Sequence, residues 1–424
     1  MKKVIFFIML IFLQLFSQTH NHSQDSNKTD STKNTKENPS HTHSLKAFYN
    51  LKALENNEKI KQLNYEIQAI ESRAKAAKKW DNPRLNFGYN NAEITQPFNL
   101  NANDMQNIFI GIEQSFDLNG KRKILANTLQ KEAQIKLLEL KNLKNQYIFS
   151  LISNAININK NKEILNATNN AIHNVNVVLE SLKSSNYNPL QLQKLNILKA
   201  KLQMKQNEIN NILKSAHISI SETSFESVEN IDIKDILSHS LNEIDYEKVL
   251  DSILKNNYEI KAEILRESIS NDLISSAKSQ FLPDLNIGFT YMYRTNRSDM
   301  FGLNFSLPLA IFGTESAKVA ESKSQNLIAK SLVLETQNRV KHNVYSLFND
   351  YKTLSENLSL INKVLLPSNE QIINLYSHHA TSQANLFQEF YNALNDKVEA
   401  EILRLEILAK MNIIYWNLLS LSGE

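Results

Sequence analysis

Residues 82–89 read NPRLNFGY, and residues 282–289 read LPDLNIGF. Pro83, Leu85, Asn86 and Gly88 recur 200 positions later as Pro283, Leu285, Asn286 and Gly288. Proline removes a backbone donor and restricts the residue before it, so it closes a helix. The alternating apolar and polar residues that follow suit a strand. The phrase therefore predicts a duplicated chain in which a helical element hands over to a strand at two equivalent points.

The glycines agree with this division. There are seven in 424 residues, and six fall in two windows, at 88, 111 and 120 and at 288, 302 and 313. The rest of the chain, rich in Leu, Ile, Lys, Glu, Gln and Ala, reads as long helices broken by two short β-windows. Between Gly120 and Pro189 apolar residues fall at Leu140, Leu143, Tyr147, Leu151, Ala155, Ile158, Leu165, Ile172, Val175, Leu179 and Leu182. Steps of three, four and seven are those of a coiled-coil seam. At ~1.5 Å per residue such a helix is about 100 Å long, too long for a compact domain. Asn188-Pro189 is expected to end it, with a second run returning from Leu190 to about Ser219. Gly313 opens the equivalent run of the second half, and Ser382 stands as far beyond it as Pro189 stands beyond Gly120. Pro367 is expected to kink the outgoing helix before its tip. The predicted plan is a first repeat over 44–239 and a second over 240–424. The β-hairpins fall at about 83–117 and 283–309, and the helical tips near 186–190 and 378–384.

The candidate strands alternate. Leu85, Phe87 and Tyr89 oppose Asn86, Gly88 and Asn90, while Leu285, Ile287, Phe289, Tyr291 and Tyr293 oppose Asn286, Gly288, Thr290, Met292 and Arg294. Phe301, Leu303, Phe305 and Leu307 oppose Gly302, Asn304 and Ser306. The second strand is less regular: Ile108, Ile110 and Ile112 share a face, but Phe109 lies on the other. The pattern fits a lipid-facing barrel wall with a polar lumen, and equally a half-buried soluble hairpin. Four strands are too few for a single-chain barrel, and lipid does not tolerate open edges. If these strands cross a membrane, several copies of the chain must pool them.

The chain opens MKKVIFFIMLIFLQLFSQ. A basic pair followed by an apolar stretch from Val4 to Phe16 is too short to span a bilayer and fits a secretory signal peptide over 1–17. Residues 18–43 are almost entirely polar and read as a disordered tether. His20, His22, His41 and His43 lie there, either as a weak site for a soft divalent metal or as part of a solvated linker. The absence of cysteine excludes disulfides and acylation of a cysteine after the signal. A net charge of +3 with 21% charged residues gives no footprint for nucleic acid.

NPRLNFGY with SFDLNGKRK (115–123), and LPDLNIGF with FSLPLAIFGTESAKVAESKSQ (305–325), resemble the TolC-like outer membrane efflux proteins, as do VLLPSNEQIINLYSHHATSQANLFQEFYNALNDKV (364–398) and the ending WNLLSLSG (416–423). The likeness runs over residues 45–424. It implies a mainly α fold with a small β part. Antiparallel helical hairpins would form an α-barrel across the periplasm, and four strands per chain would join a shared trimeric transmembrane β-barrel. It further implies a homotrimer in outer membrane lipid, a periplasmic adaptor (membrane fusion) protein, an inner-membrane pump of RND or ABC type, and no cofactor. The pattern resembles the heavy-metal branch, which leaves metal cations and small toxic molecules both open as substrates.

Family members carry a glycine at the second tip and acidic residues after it. Here Ala380 replaces the glycine, Asn385 stands where an aspartate is expected, and Glu389 is the nearest carboxylate. The first tip, NYNPLQLQKL around Pro189, has none. Glu389 is either a gate carboxylate or an ordinary solvated helix residue. His378 and His379 are either an adaptor or metal contact or a polar turn. Tyr89, Tyr291 and Tyr293 belong either to an interfacial aromatic belt or to core and lumen packing. No phosphate loop, paired cysteine, HExxH or GxSxG occurs, and seam-patterned coiled coils seldom form the convergent polar pocket that catalysis needs. The chain is not expected to be an enzyme. A coiled-coil scaffold or adhesin without a pore would explain the heptads and leader but not two matched β-windows.

Overall fold

A computed structural model describes residue 54 and residues 57–184, 189–224, 245–377 and 384–423. The expected leader and tether, most of both tips and the 225–244 connection lie outside these residues. So do His20, His22, His41, His43, His378, His379 and the side chain of Asn385.

The described elements run in order α1 (Glu58–Ala77), β1 (Arg84–Asn90), β2 (Asn107–Phe116), α2 (Lys121–Ser184) and α3 (Pro189–Ser224), then α4 (Tyr246–Asn256), α5 (Tyr258–Ser279), β3 (Leu285–Tyr293) and β4 (Met300–Ser306), then α6 (Thr314–Leu360), a π-helical turn (Ile361–Leu365), α7 (Leu366–Ser377) and α8 (Ala384–Ser422). The chain is thus mainly helical, with one four-stranded sheet. Helix α2 has 64 residues, about 95 Å at ~1.5 Å per residue. Pro189 opens α3 rather than closing α2; at the first position of a helix its missing N–H would have had no partner anyway.

Beside the sheet the helices pack in the order α1, α2, α5, α6, following the strands they join. Farther along, the order is α3, α2, α8, α7. Every seam position read from the sequence of α2 is buried or half-buried. A further stripe, Ile148, Ile152 and Ile156, is buried against Leu54 and Ile60 on one side and Ala409 and Trp416 of α8 on the other. Toward the tips, Val175, Leu179 and Leu182 of α2 interlock with Leu195, Leu198 and Leu202 of α3 and with Phe387, Phe390 and Leu394 of α8. A third cluster joins Leu250 and Ile253 of α4 to Val340, Val344 and Tyr351 of α6 and to Ile407, Met411 and Ile414 of α8.

The end of the chain is fastened there as well. The Tyr258 hydroxyl donates to the Gly423 carbonyl (3.0 Å) and Asn257 Nδ2 to the Leu421 carbonyl (3.0 Å). Gly423 has a left-handed φ of 72°, and a Cβ there would lie 2.8 Å from the Asn256 carbonyl oxygen, so only glycine closes this corner. Pro367 is absorbed by the π turn before it. The Leu366 N–H reaches back to the Ile361 carbonyl, widening the helix where the proline ring would strike the carbonyl four residues earlier.

Candidate channel wall

The sheet is antiparallel throughout, in the order β1-β2-β3-β4. Both hairpin turns, at 91–106 and 294–299, therefore lie at one end, and all four helix connections lie at the other. The register aligns the alternating faces of all four strands. Phe87 lies opposite Ile110, which lies opposite Tyr291, which lies opposite Phe301; Leu85, Ile112, Phe289 and Leu303 form the next row. A one-residue slip in any pair would break this face. It is uncovered within the chain: Phe87 is 77% exposed, Phe301 72% and Phe305 64%. An apolar face of this extent on one side of a thin sheet requires an apolar environment.

The other face is mostly polar and small, apart from one row that brings Phe109, Met292 and Met300 together. Its rows bring Asn86, Gly111, Thr290 and Gly302 together, and Glu113, Gly288 and Asn304. Phe109, the residue that spoiled the alternation of β2, lies on this side across Gly88. A Cβ on Gly88 would meet the ring at 2.7 Å. The glycine thus makes room for an aromatic ring, which shares its row with Met292 and Met300 on a mostly polar wall. Each edge, β1 and β4, has no further strand among the described residues.

Where β2 passes into α2, Asp117 caps the helix. Its carboxylate accepts from the backbone N–H groups of Asn119 (3.0 Å), Lys121 (3.1 Å) and Arg122 (3.0 Å). Burial alone raises its pKa, but these hydrogen bonds and the Arg122 side chain outweigh it and hold the carboxyl below its usual value. The Arg122 guanidinium stacks on Trp80, 3.4 Å from the ring centroid. Trp80 also meets Phe116 edge-on at 5.6 Å. Asn119 Nδ2 donates to the carbonyls of Ser279 and Leu282, both at 2.7 Å, and Lys121 pairs with Asp284 at 3.2 Å. The NGKR of the first half thus fastens itself to the QFLPD of the second.

At the turn end the two hairpins are tied by an Arg297–Asp104 ion pair, and Tyr291 donates its hydroxyl to Asp299. Tyr89 and Tyr293 flank Ile108 in the apolar row nearest the turns, and Tyr291 lies one row in. The three tyrosines are therefore brought together on one face. Glu389 lies exposed near the start of α8, and Pro189 is exposed at the start of α3. Sequence reasoning missed Trp80. Its signal was a tryptophan between a lysine pair and a helix-ending proline.

Among the described residues no helix is long and apolar enough to cross a membrane. No curated protein matches the chain. The family model for outer membrane efflux proteins matches residues 249–380, about a third of the chain. Among solved structures, the chain is similar to the outer membrane protein VceC of Vibrio cholerae (12% identity, TM-score 0.70, covering 88% of this chain and 94% of that one). It is similar to CusC, whose structures concern folding and transmembrane channel formation (13%, 0.72, 90% and 92%). It is also similar to the MtrE outer membrane channel of Neisseria gonorrhoeae in its open state (12%, 0.71, 88% and 87%). At such identities the likeness is one of fold, and it extends over both halves.

Proposed function

We propose, from the match of residues 249–380 to the outer membrane efflux protein family, that the whole chain is one of three identical subunits of an outer membrane exit duct. The observation that carries this reading is the sheet. Its one continuous apolar face is uncovered, its opposite face is mostly polar with a single Phe109–Met292–Met300 row, and both its edges are open among the described residues. Lipid satisfies the first face, water in a lumen the second, and neighbouring copies the edges. Three chains of four strands pool twelve.

The helices carry the same lateral edges away from the sheet. On α3, Ile197 is 54% exposed and Met204, seven residues on, 72%, a heptad stripe with no partner helix among the described residues. On the opposite side α6 and α7 expose Leu334, Leu360 and Leu375. Packing one side against the other in a ring closes an α-barrel beneath the β-barrel. The duct has no energy source of its own. A pump in the inner membrane and a periplasmic adaptor deliver substrate to the helical tips, where Glu389 is the candidate gate carboxylate of the second tip and His378 and His379 offer adaptor contacts. Its cargo is metal cations or small toxic molecules, selected coarsely by width and wall charge. Tyr89, Tyr291 and Tyr293 sit at the outer headgroup level.

Cell fractionation followed by gel migration without boiling tests the assembly. A detergent-requiring trimer in the outer membrane fraction is expected, and a soluble extended monomer or dimer overturns the reading. Deleting the gene and measuring sensitivity to copper, zinc, cobalt and a panel of drugs assigns the cargo. Unchanged sensitivity to all of them rules out an efflux role toward these compounds.

A further inference from the structure

The two ends of the sheet differ in charge. At the helix end, residues 78–84, 117–123, 278–284 and 307–318 carry eight lysines and arginines against the four carboxylates Asp81, Asp117, Asp284 and Glu315. At the turn end, residues 91–106 and 294–299 carry Arg294 and Arg297 against Glu93, Asp104 and Asp299. The surplus at the helix end is also available. Lys121 and Arg122 are committed to Asp284 and Asp117. Lys78, Lys79, Lys123, Lys278 and Lys318 are exposed, and none has an ion pair among the described residues.

Large apolar residues are interleaved with these lysines at the same level. Trp80 precedes β1, Leu118 follows β2, and Phe281 and Leu282 precede β3; all four are exposed. Trp80 stands on the side of the apolar sheet face, because Phe116, the ring it touches, shares the row of Leu285 on that face. An amphipathic ring, Trp80, with further apolar side chains beside lysines where an apolar wall stops, matches a headgroup layer, with the indole among the glycerol groups and the ammoniums at the phosphates.

We propose that this collar docks anionic phospholipid headgroups of the leaflet on the helix side, and that the turn end has no such preference. The inference rests on the reading that the sheet lies in a membrane. Each lysine near an anionic surface contributes about a fivefold preference for it, weakened by salt.

The test uses the full chain reconstituted into nanodiscs of phosphatidylcholine containing a minor fraction of phosphatidylglycerol. The ratio of the two lipids retained after detergent extraction is read by native mass spectrometry. The wild-type trimer is expected to enrich phosphatidylglycerol at low salt and to lose that enrichment at high salt. Combined Lys78→Gln, Lys79→Gln, Lys123→Gln, Lys278→Gln and Lys318→Gln should lower enrichment at least roughly fivefold, whereas Lys59→Gln with Lys201→Gln should leave it unchanged. Enrichment that is absent in the wild type, insensitive to salt, or retained by the fivefold variant overturns the proposal. Should that variant not assemble, the wild-type salt series decides alone. A chain that stays out of membranes defeats the duct reading itself, and a membrane trimer indifferent to headgroup charge defeats only this inference.

Discussion

At Gly120 the backbone turns from β2 into α2 with φ of 70°, and at Gly313 it turns from β4 into α6 with φ of 76°. The two junctions share a backbone conformation and differ in everything attached to it. The first lies inside the sheet, beside β3 and α5, and finds its partners within the chain: Asp117 on the helix N-terminus, Asn119 on two carbonyls, Lys121 on Asp284 and Arg122 on Trp80. The second lies at the sheet edge. Its Gly313 N-cap has no side-chain cap, Ala310 stands where the first junction has Asp117, and Ile311 and Phe312 are 69% and 87% exposed. Position in the strand order explains the contrast. The interior junction has neighbours from its own chain on both sides, whereas the edge junction has one on a single side, where Lys318 reaches Gln280.

The largest expected effect strikes the edge. Ile311→Asp with Phe312→Asp should abolish trimer migration on unboiled gels. Both side chains are exposed in the isolated chain, so its own helical content should be unchanged, as for surface substitutions generally. Trimers that persist would show that this junction needs no neighbour. The reverse is expected inside the sheet. Asp117→Ala removes a cap from three N–H groups and should cost about 1–2 kcal/mol in denaturant unfolding of the detergent-solubilised protein. The same carboxylate carries a pH signature. Its folded pKa is lowered, so its contribution is fully present above the unfolded value of about 3.9 and is lost as pH falls through the lower folded value. Asp117→Asn should therefore flatten the acid limb of a stability profile below about pH 4, with no change near neutrality in its slope.

Much of this was legible in the residues because it rests on local rules. Period-two alternation set the strands and their faces, and the glycine clusters set where helices stop, since both depend on neighbours in sequence. Phe109 looked like an irregularity because its reason, the space left by Gly88, lies across a strand pair. The π turn before Pro367 was legible only as a kink, since the sequence shows that a hydrogen bond must be lost but not how the helix reroutes it. The Trp80–Arg122 stack and the Asn119 bridge were not legible, because they join residues 42 and 160 or more positions apart. Of the tip candidates, Glu389 is described only as exposed, because a gate residue is defined by its distance from copies of itself.

The smallest expected effect is the most direct comparison of the two junctions, since each has a lysine near the start of its helix. Lys121 pairs with Asp284 at 3.2 Å, with side chains 26% and 42% exposed. Lys318 reaches only the Gln280 amide oxygen, at 3.0 Å. Lys121→Met should cost roughly 0.5–1 kcal/mol, less as salt is added, because the pair is partly shielded and joins the two halves of the chain. Lys318→Met, at an exposed site bonded to a neutral partner, should fall within about 0.5 kcal/mol of the wild type and show no salt dependence. Thermal unfolding of both variants in a non-ionic detergent, at low and high salt, measures the difference. Equal losses at Lys121 and Lys318 would mean that the interior junction is no better fastened than the edge.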